Sequence, residues 1–224
     1  MVLGAVASVQ SGAALAATLF DELGPGGTVL LRMGFSALLL GALWRPQVRG
    51  ASGSARTLAA LFGLALAGMN LSFYLALDRI PLGIAVTLEF LGPLAVAIVA
   101  SRRALHVVWA LLAGVGVLLL SGGVGGGLDA AGVVFALVAG GFWGAYILLG
   151  ARVGRTFPGD GGLALAMAVG TVALAPVGVA QGGGALLHGE PLLLGGAVAL
   201  LSSAIPYCSS SRRCGVFRPA SSES

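Results

Sequence analysis

Charged residues are scarce in this sequence. Asp, Glu, Lys and Arg make up 9% of its 224 residues, whereas a soluble globular domain has about 25%. Since water solvates a protein surface through charged and polar groups, a chain of this composition cannot build a soluble surface. Hydrophobic residues make up 58% of the chain, and its mean hydropathy is +1.01. The composition therefore predicts a protein whose solvent is the lipid bilayer.

Cysteine is also rare, and the two cysteines, Cys208 and Cys214, lie near the carboxyl end. Their spacing matches neither a metal site nor a disulfide framework, and we expect no cofactor. The pI of about 9.8 would fit a nucleic-acid-binding protein, but the basic residues form short groups between apolar segments. No group of side chains resembles a nucleophile with its base or a catalytic pair of carboxylates. The sequence thus predicts neither a nucleic-acid partner nor an enzyme.

Long apolar segments fill most of the chain. Backbone in lipid must satisfy its hydrogen bonds internally, which leaves α-helices and closed β-barrels. Barrel strands alternate apolar and polar residues, whereas the apolar runs here are continuous. Since a helix needs about 20 apolar residues to cross the bilayer, the sequence predicts an all-α membrane protein with about eight spans. These are approximately residues 2–20, 27–44, 57–77, 81–100, 104–121, 130–150, 161–180 and 190–206.

The distribution of arginine predicts the orientation of these spans. The arginines are concentrated in the segments that follow spans two, four, six and eight: Arg45, Arg49 and Arg56; Arg102 and Arg103; Arg152 and Arg155; Arg212, Arg213 and Arg218. Among the alternate loops only Arg79 is basic. The positive-inside rule places the arginine-rich loops in the cytoplasm. We therefore expect a multi-pass protein of the inner (plasma) membrane with a cytoplasmic amino terminus.

Two ionisable side chains fall inside predicted spans. Counted from the outer side at about 1.5 Å per residue, Arg32 lies about 8 Å deep in span two and Glu89 about 12 Å deep in span four. A charge at a lipid-facing helix centre costs about 2.5–3.5 kcal/mol, so both residues are expected to face the bundle interior or a wet cavity. A direct ion pair would fit their similar depths. Alternatively, Arg32 extends to the outer interface and Glu89 bonds a neighbouring helix.

Pro93 gives the Glu89 segment a second feature. Proline has no N–H, so the hydrogen bond that would end on the Glu89 carbonyl is missing. Transporters build substrate and ion sites from broken helices that line a cavity. The predicted pathway therefore contains Glu89, Arg32 and Pro93, and it also includes the polar residues Gln10, Asn70, Tyr74 and Thr87. Each of these four could instead form only an interhelical hydrogen bond. The Gly140–Gly144 step of span six is interpreted as a close helix packing site.

Three stretches carry a resemblance to a known family. They are residues 31–40 (LRMGFSALLL), 70–81 (NLSFYLALDRIP) and 82–94 (LGIAVTLEFLGPL). In them the chain resembles the EamA-type drug/metabolite transporter superfamily, and most closely its threonine/homoserine exporter branch, over about residues 2–207. The resemblance implies ten helices in two inverted five-helix repeats. It also implies export of a small-molecule substrate, an amino acid or metabolite, by proton coupling, ion coupling or exchange. A homodimer is compatible with it.

The carboxyl end departs from this family pattern. On the resemblance, residues 1–121 form the first repeat, residues 122–207 form an incomplete second repeat of three helices, and residues 208–224 form an aberrant, disordered tail. Back-translation of the tail with freely chosen codons yields, in another frame, a peptide similar to residues 76–81. This is compatible with a frameshift after Tyr207. We therefore weigh an amino-acid or metabolite exporter with a truncated chain against a membrane fragment without transport activity, and both against a membrane enzyme or scaffold.

Overall fold

The computed structural model describes residues 11–44, 52–101, 128–157 and 161–200, together with the single positions 108, 112, 115 and 116. Within these residues the chain is helical and has no β-strand. The helices are α1 (Phe20–Trp44), α2 (Gly53–Leu77), α3 (Leu82–Glu89), α4 (Leu91–Ser101), α5 (Ala130–Thr156), α6 (Gly161–Gly182) and α7 (Gly189–Ala199), with a 3-10 helix at Gly183–Leu187. Residues 11–17 are also helical. The predicted all-α class is confirmed for this part of the chain.

Five helical stretches of the described chain are long and apolar enough to cross a membrane. They are Phe20–Ala42, Gly53–Leu77, Leu82–Ala100, Ala130–Thr156 and Gly161–Leu187. They correspond to the predicted spans two, three, four, six and seven. Residues 2–10 of span one and most of span five lie outside the described residues, and α7 is the described part of span eight. A multi-pass helical protein is therefore confirmed, and the total of eight spans stays a prediction.

The helices pair across the chain rather than with their sequence neighbours. Helix α1 packs mainly against α6, and α2 lies between α5 and α6. Helices α3 and α4 pack on α5, and α7 packs on α1. Small residues allow the close crossings, because a Cβ on Gly63 of α2 would collide with the backbone of Ala166 in α6. This pairing brings residues of distant spans into one core.

The chain between spans one and two is more compact than the loop predicted at residues 21–25. Helix α1 already begins at Phe20, and within it only Gly24 has non-helical dihedral angles (φ 66°, ψ 169°). Glycine adopts a positive φ without the steric penalty of a Cβ, and Pro25 follows at a position equivalent to the first turn of a helix, where its missing N–H costs little. The predicted five-residue loop is therefore replaced by a kink at one residue.

The end of span six also differs from the prediction. Helix α5 continues past residue 150 to Thr156, so Arg152 and Arg155 lie on its last turns and not in a loop. Both side chains are exposed. Positive charges near the carboxyl end of a helix interact favourably with its dipole. The arginines therefore extend the helix beyond the apolar segment instead of ending it.

Span four is broken as the proline predicts. Helix α3 ends at Glu89, Phe90 lies between the helices, and α4 begins at Leu91. Phe90 keeps right-handed helical dihedral angles (φ −64°, ψ −16°), so the chain direction is maintained. The break thus interrupts the hydrogen-bond ladder at mid-span without turning the chain out of the bundle.

Candidate functional site

Glu89 lies at this break and is buried. It is the last residue of α3, and its exposed fraction is 8%. Gly140 of α5 packs directly on its backbone, because a Cβ at Gly140 would lie 2.7 Å from the Glu89 carbonyl oxygen. Gly92 meets the Gly140 backbone in the same crossing, and Gly144 packs one turn further along α5. The predicted packing role of the Gly140–Gly144 step is confirmed, and it holds the broken segment against α5.

Arg32 and Tyr74 form the second part of the site. The Arg32 Nη1 donates a hydrogen bond to the Tyr74 hydroxyl oxygen over 3.2 Å, and the guanidinium carbon lies 5.7 Å from the centre of the Tyr74 ring. Tyr74 is fully buried, with the rings of Phe20 and Phe73 beside it. Arg32 is half-buried. Its guanidinium is therefore directed into the bundle between α1 and α2.

Arg32 and Glu89 do not contact each other directly. The ion pairs among the described residues are those of Arg79 with Asp78 and Asp129. No described residue donates a hydrogen bond to the Glu89 carboxylate. The direct Arg32–Glu89 pair that similar depths allowed is thus not formed. The Glu89 carboxylate is therefore buried without a hydrogen-bond donor among the described residues.

For the other predicted pathway residues the structure gives only a hydrogen bond within their own helix or a position in the chain. Asn70 is buried one turn before Tyr74 on α2, and its Nδ2 donates to the Leu66 carbonyl over 2.7 Å. Thr87 donates to the Gly83 carbonyl within α3 over 2.7 Å. Such bonds to the preceding turn satisfy the side chain within its own helix. Pro93 is half-buried in α4, and Gln10 lies outside the described residues. A substrate-pathway role for these residues stays a prediction.

Gln181 is a residue that sequence reasoning assigned only to a loop. It lies near the end of α6, and its Oε1 accepts a hydrogen bond of 2.7 Å from the Gly26 N–H in the first turn after the α1 kink. A Cβ at Gly24 or Gly26 would lie 2.9 Å or 2.8 Å from this oxygen. A glutamine at the end of an apolar run carries no sequence signal for such a contact. It is visible only once α1 and α6 are paired.

Curated relatives of the chain are exporters by name. The chain is 42% identical over 209 residues to "Threonine/homoserine exporter RhtA" of Salmonella typhimurium and 41% identical to the protein of the same name from Escherichia coli. Each alignment covers 92% of this chain and 70% of the relative. No family model matches the chain, and no solved structure matches it.

Proposed function

The chain belongs to the threonine/homoserine exporter family, and we propose that it carries threonine, homoserine or a closely related small amino acid out of the cell across the inner membrane. Membrane export of amino acids follows from the family. The choice of threonine and homoserine follows the names of the relatives, and the binding of an amino-acid zwitterion is inferred from one observation in the structure. The buried Glu89 carboxylate at a helix break and the half-buried Arg32 guanidinium form no ion pair with each other.

This arrangement complements an amino-acid zwitterion. The substrate ammonium would bind the Glu89 carboxylate, and the substrate carboxylate would bind the Arg32 guanidinium. Hydrogen bonds between charged groups are shorter and stronger than neutral ones. Tyr74 accepts a hydrogen bond from Arg32, and its own O–H, which has no acceptor among the described residues, would donate to a substrate oxygen. We assign Arg32, Tyr74 and Glu89 as the primary substrate contacts.

Glu89 also offers a mechanism of coupling. A carboxylate inside a membrane span requires a compensating charge, and a substrate ammonium or a proton can each supply it. A proton that replaces the departing substrate would let the empty carrier return. Direct replacement by another amino acid would give exchange. Both modes use the same carboxylate.

We further propose the ten-helix, two-repeat organisation for the complete fold, with residues 1–121 as the first repeat and the second beginning at residue 122. The contacts of the described helices support it. In this organisation span two of the first repeat corresponds to span seven of the second, and span three corresponds to span eight. Exchanging the two repeats therefore turns the contact between α1 (span two) and α6 (span seven) into the same contact. The same exchange turns the contact between α2 and α6 into a contact between α7 and α1, and the structure has both contacts. Such a paired pattern is what two inverted repeats produce.

The amino terminus is proposed to be cytoplasmic. The start of α2 and the end of α5 share a core cluster that contains Ala59, Phe62 and Val153. This contact places Arg56, Arg152 and Arg155 at the same end of the bundle. Short arginine-rich segments resist translocation, so this end is assigned to the cytoplasm.

An efflux assay tests the proposed substrate. The 224-residue chain is expressed in cells that lack their own threonine exporters, and the cells are loaded with labelled threonine, homoserine or leucine. We expect efflux of threonine and homoserine above the empty-vector rate, with leucine as the bulky, apolar comparison. No efflux of any of the three at normal membrane abundance would contradict the proposal. That result would fit the alternative, a membrane fragment without transport activity.

A further inference from the structure

Two polar contacts join the first and second repeats at the same end of the bundle. The first is the hydrogen bond from the Gly26 N–H to Gln181 Oε1. The first N–H groups of a helix have no partner within it, and here a side chain from the other repeat supplies one. The backbones meet closely at this point, because a Cβ on Gly27 would lie 3.3 Å from the Cα of Gly182.

The second contact is made by Arg79, in the segment between α2 and α3. Its Nη1 lies 3.3 Å from Asp78 Oδ2, and its Nε lies 3.9 Å from Asp129 Oδ2. Asp78 belongs to the same loop, whereas Asp129 caps α5 of the second repeat by accepting a hydrogen bond of 2.8 Å from the Ala131 N–H. The Arg79 guanidinium also lies 5.2 Å from the centre of the Phe135 ring on α5. Arg79 therefore bridges the repeats through Asp129 and the Phe135 ring.

The opposite ends of these helices pack around a pocket, where the Phe62 and Tyr146 rings stack with their centroids 5.0 Å apart. A cavity of about 330 Å³ lies between α2, α5 and α6, lined by residues that include Phe62, Tyr146, Gly150, Val153 and Leu163. Tyr146 follows Asp129 by 17 residues on α5, which places it about 25 Å from the Asp129 end at 1.5 Å per residue. Leu163 and Gln181 are similarly spaced along α6. The repeats are thus joined by polar contacts at one end, whereas their contacts around this pocket are apolar.

We propose that Gln181 and the Arg79–Asp129 pair form an outer latch, defined as the contacts Gly26–Gln181 and Arg79–Asp129, that closes the outer side of the transport path before export. The proposal rests on the proposed function and orientation. Gln181 is in addition a positioning residue, because it fixes the first turn of α1, the helix that carries Arg32. Opening of the latch would release the segment above Arg32 and expose it to the outer side.

The contacts have the strength expected of a reversible latch. The bond from Gly26 to Gln181 involves neutral groups, and the Arg79–Asp129 pair is partly exposed to solvent, with side-chain exposures of 32% and 47%. Contacts of this kind shift an equilibrium by about two- to tenfold for the hydrogen bond and by up to about fivefold for the ion pair. Removal of either contact should therefore change the populations of closed and open states without unfolding the bundle.

Thiol labelling from the outer side tests the latch. Cys208 and Cys214 are replaced by serine in the full chain, and Thr28→Cys places a single thiol just below the latch. Thr28 is fully buried and follows Gly26 by two residues. Cells are exposed to a membrane-impermeant maleimide, and the labelling rate is normalised to total labelling after denaturation. Val29→Cys, also at a fully buried position, repeats the measurement if Thr28→Cys lowers abundance.

Two matched pairs of variants isolate the contacts between repeats. Gln181→Met removes the acceptor and should raise the labelling rate about two- to tenfold, whereas Gln181→Glu keeps an acceptor oxygen and should restore slow labelling. Asp129→Asn keeps a good helix cap but removes the charge, and should raise the rate by up to about fivefold. Asp78→Asn removes the other carboxylate beside Arg79, which lies within one repeat, and should leave the rate unchanged.

The latch proposal is wrong if the thiol of Thr28→Cys is labelled no faster in the Gln181→Met and Asp129→Asn variants than in the protein without these substitutions. It is equally wrong if Asp78→Asn raises the rate as much as Asp129→Asn, because the effect would then come from the local loop. Labelling requires no transported substrate. A chain that exports no amino acid but shows latch-dependent labelling would contradict the proposed substrate and support the latch.

Discussion

Replacing Glu89 by glutamine would test the central feature of the site. Glutamine keeps the length and the carbonyl oxygen of the side chain but fixes its charge at zero. Glu89 is buried against α5, and no described residue donates a hydrogen bond to its carboxylate. The substitution therefore removes no protein contact in the described part of the chain. Its effect should fall on the substrate ammonium or on the coupled proton.

The size of the effect follows from the bond that is lost. A hydrogen bond to a charged group contributes about 1.5–3 kcal/mol, and each 1.4 kcal/mol is about a factor of ten. We expect threonine efflux by Glu89→Gln to fall about ten- to a hundredfold below that of the unchanged chain. Since a charge is removed from a membrane span, where it is costly, membrane abundance should not fall.

The assay is the initial efflux rate of labelled threonine, divided by the amount of protein in the membrane. Glu190→Gln is the matched control, because Glu190 is an exposed carboxylate in the first turn of α7. It should leave the rate unchanged. Unaltered efflux by Glu89→Gln at normal abundance would refute the reasoning and reduce Glu89 to a packing residue.

Three further predictions concern the guanidinium, the helix crossing and the orientation. Tyr74→Phe keeps the ring but removes the hydroxyl that Arg32 contacts, so the substrate concentration for half-maximal efflux should rise about threefold to tenfold. Arg32→Gln should lower the efflux rate as much as Glu89→Gln does. Normal efflux by either variant would exclude a substrate contact at that residue. Gly140→Ala should lower the free energy of unfolding by about 1–3 kcal/mol through overpacking. Gly141→Ala is the control and should not lower it, because a Cβ there would meet no atom within 4 Å. Equal melting temperatures of the two variants in detergent would contradict the close crossing. An alkaline-phosphatase fusion after Gly50 should be inactive because we propose that this arginine-rich loop is cytoplasmic, and periplasmic activity would reverse the assignment.

The sequence alone was sufficient for the membrane class, and it singled out the two charged residues of the proposed site. A chain with 9% charged residues must be solvated by lipid, and its spans are visible because their length matches the bilayer. Against such a background Arg32 and Glu89 stand out as costly exceptions. Pro93 predicted the break of span four, since the missing N–H is a property of the residue itself.

Only the tertiary structure shows which helices pack together and which groups these side chains contact. The spans are apolar on every side: Leu38 is 70% exposed and Leu40 is 1% exposed on the same helix. No amphipathic face therefore indicates which side packs inward. Arg32 contacts Tyr74 instead of Glu89, and Gly26 finds its acceptor 155 residues away in Gln181. Such contacts depend on helix crossings set by glycine backbones and on side-chain directions, which bring together residues that no local pattern relates.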